Sequence, residues 1–316
     1  QSFPDEFIFT GDRRNQCILV GNAVPPLLAK AIGKSILDFA NEHSWEIKKT
    51  NNCEKLTITK NIINLSTKKK KTNQDNFIDL FSGAGGFSIG FTKVGFNPLL
   101  CVDFNPNVAA THKENFSQIP FLEANLSDKE IQNKIINKYS NKDIGVIVGG
   151  PPCQGFSMFG KRRFVNTKNY NPASDKRNDL IFSYINIVSS LQPRWFVMEN
   201  VPGFANLDSG RFLIKVIDCF KKIGYKNIEW QILNAAEYGV PQLRKRLVII
   251  GNRTGHIIPW PKRKFFKDPE DWQKPFRTVG EVITDLSLKS SYENQTCHIP
   301  MKHKPLLVER YKYIEE

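Results

Sequence analysis

Four polar side chains stand at the ends of apolar runs in this sequence. The run VIVGGPPCQGFS (residues 146–157) carries one thiol, Cys153, behind two glycines and two prolines. A thiol becomes a nucleophile when neighbours supply charge and protons. Two further runs offer such neighbours. RWFVMENVPGF ends a strand-like stretch in Glu199, and VPQLRKRLVIIG sets Arg244 and Arg246 two apart just before another, so on extended backbone they face the same way. A lone cysteine is more often a small buried hydrophobe, an isolated glutamate a cap and two arginines a solvated face. Taken together, the four point to a nucleophile with a carboxyl group and cations beside it.

Such a site needs a scaffold that brings strand ends together. At FIDLFSGAGGFSIGFTKVGFNPLLCVDFN, a short strand (77–80) meets a glycine-rich turn (82–86), then a helix-like segment and a second strand (99–102) ending in Asp103. This βαβ unit places an acidic residue some 20 positions past the first glycine, where ribose hydroxyls are held in Rossmann-like folds. Strand-like runs at 145–148, 195–198 and 247–251, with helical stretches between them, extend the pattern to an α/β fold with a doubly wound, mostly parallel sheet. Ligands of such sheets sit beyond the carboxyl ends of the strands, which carries Cys153 to the crevice. The glycines permit close approach and the prolines stiffen the turn. GAGGFS is not G-x-G-x-x-G, because Ser88 stands five after Gly83, so the dinucleotide signal is weak. The shortened loop suits a ligand without pyrophosphate, such as S-adenosylmethionine, and Phe104 is placed to stack on adenine, the alternative being a core aromatic.

The 316 residues, 40% hydrophobic, are enough for one large α/β domain with appendages. The six cysteines have no paired or metal-ligand spacing, so no metal site is expected, and no apolar run approaches a membrane span. These features favour a reducing, soluble compartment. The chain begins at Gln1, which leaves a preceding segment open. A formal charge of +14 raises the odds of a polyanionic partner, nucleic acid first, against a merely solvated basic surface. GNAVPPLLAKAIGKSILDFA (21–40) reads as two prolines opening an amphipathic helix. The polar stretch after it, with its TKKKK run, reads as a linker.

The blocks FIDLFSGAGGFSIGF, GGPPCQGFS, ENV, QLRKR and LVGNAVPP resemble the signature blocks of the cytosine-C5 DNA methyltransferases. The resemblance implies that Cys153 thiolate adds to C6 of cytosine while protonated Glu199 holds N3, with Arg244 and Arg246 positioning the base and the glutamate. C5 then accepts a methyl group from S-adenosylmethionine, a base removes the C5 proton and the thiol is eliminated. The target base of double-stranded DNA must swing out of the stack. By the same resemblance Phe81, Ser82, Gly83, Ala84, Gly85, Gly86, Phe87, Pro151, Asp103, Phe104 and Leu180 of DKRNDL border the cofactor. So do Asn125 and Leu126, where relatives usually have an aspartate, and Asn22, Ala23 and Val24. Gln154, Ser157, Lys161, Arg162, Arg163 and Gln242 are assigned to DNA.

The block order differs from most relatives, in which GNAVPP and its helix close the chain, so the sequence resembles a circularly permuted member. It divides into a permuted helix block (1–42), a polar linker (43–75), a catalytic domain (76–285) and a lead-in (286–316) to a target-recognition region that does not follow. A fragment, an omitted segment or one subunit of a split enzyme each fits. The implied activity is DNA cytosine-C5 methylation, as in bacterial restriction-modification, in the cytoplasm or at the nucleoid. Methylation of transfer RNA and a non-catalytic scaffold are the alternatives.

Overall fold

The computed structural model describes residues 1–43, 75–152 and 179–287, with positions 305 and 309. The chain begins with an aromatic-rich segment and two helices, α1 (Arg13–Asn22) and α2 (Pro26–His43). An alternation of strands and helices follows: β1 (Asn76–Leu80), α3 (Gly86–Val94), β2 (Asn97–Asp103), α4 (Pro106–Asn115), β3 (Phe121–Glu123), α5 (Lys129–Tyr139), β4 (Val146–Gly149), α6 (Asp179–Leu191) and β5 (Trp195–Asn200). A 3-10 segment (Pro202–Gly210) leads into α7 (Arg211–Lys222), then β6 (Asn227–Asn234) and β7 (Lys245–Asn252). A two-stranded pair, β8 (Phe265–Phe266) and β9 (Lys274–Pro275), precedes α8 (Val279–Ser287).

The main sheet has the order β3-β2-β1-β4-β5-β7-β6. Neighbours from β3 to β5 are parallel, and β7 runs antiparallel to both β5 and β6. The chain builds outward from β1 to β3 and then returns to β4, so the order reverses between β1 and β4. A reversal of this kind opens a crevice at the carboxyl edge.

The central strands β1, β4 and β5 are buried at every position because both faces are covered, and apart from Asn76, Asp79, Glu199 and Asn200 they are apolar. Successive side chains point to opposite faces. Ile78, Ile147, Phe196, Met198 and Ile249 pack with α5, α6 and α7. Phe77, Val146, Val148, Trp195, Val197 and Ile250 pack with α2 and α3. The helix α2 therefore belongs to a layer of the central domain although a long polar stretch separates it from β1 in sequence. Leu28, Ile32 and Ile36 are fully buried there, each worth ~2 kcal/mol of transfer free energy.

Several features depart from the sequence expectations. The strands β3 and β6 and the helix α1 were not anticipated. The run Arg13–His43 is, at 31 residues, long and apolar enough by composition to cross a membrane, where none was expected. Its backbone is extended at Ala23, between α1 and α2, and the apolar side of α2 is the inner face of a core layer. The linker residues 44–74 and, apart from positions 305 and 309, residues 288–316 lie outside the described residues.

Candidate active site

The glycine-rich turn follows β1 and the Gly149-Gly150-Pro151 turn follows β4, so the two flank the point where strand order reverses. At the first, the Asp103 carboxylate closes the loop: Gly83 N–H donates to its Oδ2 at 2.9 Å and Asn105 N–H to its Oδ1 at 3.0 Å. Burial pushes the Asp103 carboxyl up from its ordinary value, against those backbone bonds. Two bonds leave lone pairs on the carboxylate for further donors.

Phe81, Asp103, Phe104, Ala124, Asn125, Leu126 and Leu180 line one hollow of about 380 Å³, counting the part open to solvent. They come from the ends of β1, β2 and β3 and the start of α6. Phe104 is 62% exposed, which excludes the core-aromatic reading for it. Asn125 Oδ1 accepts from Ser127 N–H at 3.0 Å, so the side chain that was expected to reach a ligand also folds its own loop. Ser82 Oγ is buried without a hydrogen-bond partner among the described residues. A Cβ built on Gly83 would meet nothing within 4 Å, so the space beside that backbone is open.

The turn at 21–24 lies under this loop. Val24 C=O stands so close to Gly86 that a Cβ there would lie 1.9 Å from the oxygen. Ala23 shares a small apolar cluster with Ala84, while Asn22 is exposed. Phe87, expected at the cofactor site, turns its ring into the core beside α2 and α3.

Glu199, at the carboxyl end of β5, is 8% exposed. Arg246 Nε lies 2.7 Å from its Oε1. Burial raises the Glu199 carboxyl above its ordinary value, and the Arg246 and Arg244 guanidinium groups oppose that rise without cancelling it. The group is thereby biased toward its protonated form. A Cβ on Gly150 would come 3.1 Å from Glu199 Oε2, so this glycine lets the second loop pack on the carboxyl group. With strands ~4.8 Å apart, the step from β2 to β5 puts ~14 Å between the Asp103 and Glu199 ends of the crevice.

The two arginines part company. Arg246 goes to Glu199, while Arg244 Nη2 donates to Gly21 C=O at 2.7 Å and Ala23 C=O at 2.8 Å. Gln242 is exposed on the loop before them. Cys153, Gln154, Ser157, Lys161, Arg162 and Arg163 lie outside the described residues. Pro151, two before Cys153, is described, and Asn200 Nδ2 donates to its carbonyl at 3.0 Å. Asn200 was not singled out from sequence. Its position beside Glu199 in a strand-end ENV block was the available signal.

This fold is the Rossmann-like α/β fold of the methyltransferases. The family model of the C-5 cytosine-specific DNA methylases matches residues 1–38 and 76–315, and the chain belongs to that family. It is 36% identical over 243 residues to the type II methyltransferase M1.HphI of Haemophilus parahaemolyticus, with 76% of this chain and 60% of the relative covered. It is 38% identical over 219 residues to M.XorII of Xanthomonas oryzae pv. oryzae, covering 68% and 47%. With M.AquIA of Picosynechococcus it shares 32% over 231 residues, covering 67% and 89%. The chain thus spans about half to three fifths of the length of the first two relatives.

Proposed function

We propose that this chain carries the catalytic apparatus for transfer of a methyl group from S-adenosylmethionine to C5 of cytosine in double-stranded DNA. The observation that carries the reading is Glu199: a buried carboxyl with raised proton affinity, held by Arg246 at the crevice edge beside the loop that leads to Cys153. Protonated, it donates to N3 of the pyrimidine and so stabilises the charge that develops when a thiolate adds to C6. Cys153 is the proposed nucleophile, and its elimination after loss of the C5 proton restores the ring.

Several features support a nucleoside-bearing methyl donor in the hollow. Phe104 offers an exposed ring for the adenine face, Asp103 keeps acceptor capacity for ribose hydroxyls, and Leu126 and Leu180 add apolar wall. The unpartnered Ser82 hydroxyl and the open backbone at Gly83 suit the polar methionine end. When bound, S-adenosylmethionine supplies an electrophilic methyl group. The protein's contribution is to hold the base edge, the proton and the thiol.

The net charge of +14 favours a polyanionic substrate. Lys161, Arg162 and Arg163 are proposed to meet its phosphates, with Gln154, Ser157 and Gln242 near the flipped base. The 1–42 block is proposed to be the permuted end of the family fold, a reading supported by the packing of α2 against α3. A target-recognition region in a further segment or a second subunit is proposed to choose the sequence, and the setting is the bacterial cytoplasm. The test is incorporation of labelled methyl from S-adenosylmethionine. With the recognition segment or subunit supplied, label in cytosine of duplex DNA supports the reading; label in transfer RNA alone, or in neither, overturns it.

A further inference from the structure

Arg244 was expected to reach the base, but its side chain crosses instead to a part of the chain more than 220 residues away. Its Nη2 holds Gly21 C=O and Ala23 C=O together. Its own backbone is fixed as well: Arg244 N–H donates to Asn234 Oδ1 at 3.1 Å, and Arg244 C=O accepts from Ala235 N–H at 2.9 Å. The turn it grips is the one whose Val24 carbonyl presses on Gly86 and whose Ala23 packs with Ala84, so the guanidinium sits behind the glycine loop of the cofactor hollow. Burial first, and then the Arg246 charge, hold the Arg244 guanidinium below its ordinary proton affinity, while the Glu199 carboxylate opposes the shift.

We propose that Arg244 is a positioning residue for the cofactor loop: by clamping the 21–23 carbonyls it fixes the backbone against which residues 83–86 rest. It thereby ties the cofactor end of the crevice to the Glu199–Arg246 end. The proposal rests on the functional reading above, because it takes the hollow to be the S-adenosylmethionine site. Among the described residues no other side chain bonds to these two carbonyls, and the planar guanidinium presents both N–H bonds of one nitrogen, Nη2, in a fixed geometry that a freely rotating ammonium group lacks.

The experiment is calorimetric titration of S-adenosylmethionine into the wild-type chain and into Arg244→Gln, Arg244→Lys and Arg246→Gln, with single-turnover methyl transfer at saturating cofactor alongside. Arg244→Gln is expected to weaken cofactor binding by about tenfold or more, the size of one lost charge-assisted hydrogen bond. Arg244→Lys should recover part of that loss. Arg246→Gln should leave binding within about twofold while slowing transfer. A control, Ile36→Val on α2, lowers stability away from the turn and should bind normally, which separates positioning from general loosening. Should Arg244→Gln fail to fold, Arg244→Lys decides. Wild-type affinity in both Arg244 variants overturns the proposal, as does equal weakening in Ile36→Val. Failure of the wild-type chain to bind S-adenosylmethionine would instead strike the functional reading itself.

Discussion

Replacing Gly86 by alanine sets two effects of opposite sign against each other. Gly86 opens α3, where alanine is the better helix former by up to ~1 kcal/mol. Its added Cβ, however, would lie 1.9 Å from Val24 C=O and 2.9 Å from the carbonyl carbon, about 1.5 Å inside van der Waals contact. Neither side yields cheaply: the obstacle is backbone, Arg244 holds the preceding carbonyls, and Pro25 and Pro26 follow. Overpacking of this kind costs ~1–3 kcal/mol, so the clash wins over propensity. We expect urea unfolding of Gly86→Ala to show a loss of ~1–2 kcal/mol and cofactor binding to weaken with it. Gly83→Ala is the comparison. Gly83 has φ +51° with open space around it, so that variant should lose only ~1 kcal/mol to left-handed strain. An alanine at 86 that matches or exceeds wild-type stability would refute the seating of the 21–24 turn on the glycine loop.

Two other predictions concern carboxyl groups. Glu199→Gln should slow methyl transfer by ~10²-fold or more, as loss of a positioned proton donor does. Because the wild-type group acts in its protonated form and its affinity is raised, wild-type transfer should fall as pH rises through that elevated value. The variant should lack this limb, and an unchanged pH profile would remove the acid role. Asp79 is fully buried, accepts from Ser88 Oγ at 2.6 Å, and burial pushes it up to about 7 from an ordinary 3.8. A raised acid binds its proton more tightly in the folded state, so its contribution is most favourable below pH ~4, declines as pH rises toward 7, and levels off above. Asp79→Asn should remove that decline, read as the difference in urea midpoint between pH 4.5 and 7.5; an identical slope in both proteins would contradict it.

Much of the scaffold was legible because burial on both faces writes itself as unbroken apolar strands. Residues 146–148 and 195–198 could hardly be anything else. The strand β3 has three residues, and the middle of β6 leaves Trp230 and Ile232 exposed at the sheet edge, so neither carries a clean period. The sequence placed Asp103 and Phe104 at a strand end beside a glycine loop, and the fold brings Asn125, Leu126 and Leu180 to the same hollow. Spacing alone suggested that Arg244 and Arg246 face the same way, yet β7 begins only at Lys245 and the two side chains go to different partners. It could not tell that one meets Glu199 on the neighbouring strand β5 while the other meets a turn from the beginning of the chain, because those partners are set by tertiary packing. The Asn200 bond to Pro151 was hidden for the same reason.

The most direct measurement is of the covalent bond at Cys153. Duplex DNA bearing 5-fluorocytosine in the recognised site, incubated with the chain and S-adenosylmethionine together with any recognition subunit, should give a stable complex, because fluorine cannot leave C5 as a proton. Peptide mass spectrometry should place the methylated fluoropyrimidine on Cys153, and Cys153→Ala should give neither adduct nor transfer. Methyl transfer that persists in Cys153→Ala, or an adduct on another residue, would contradict the account.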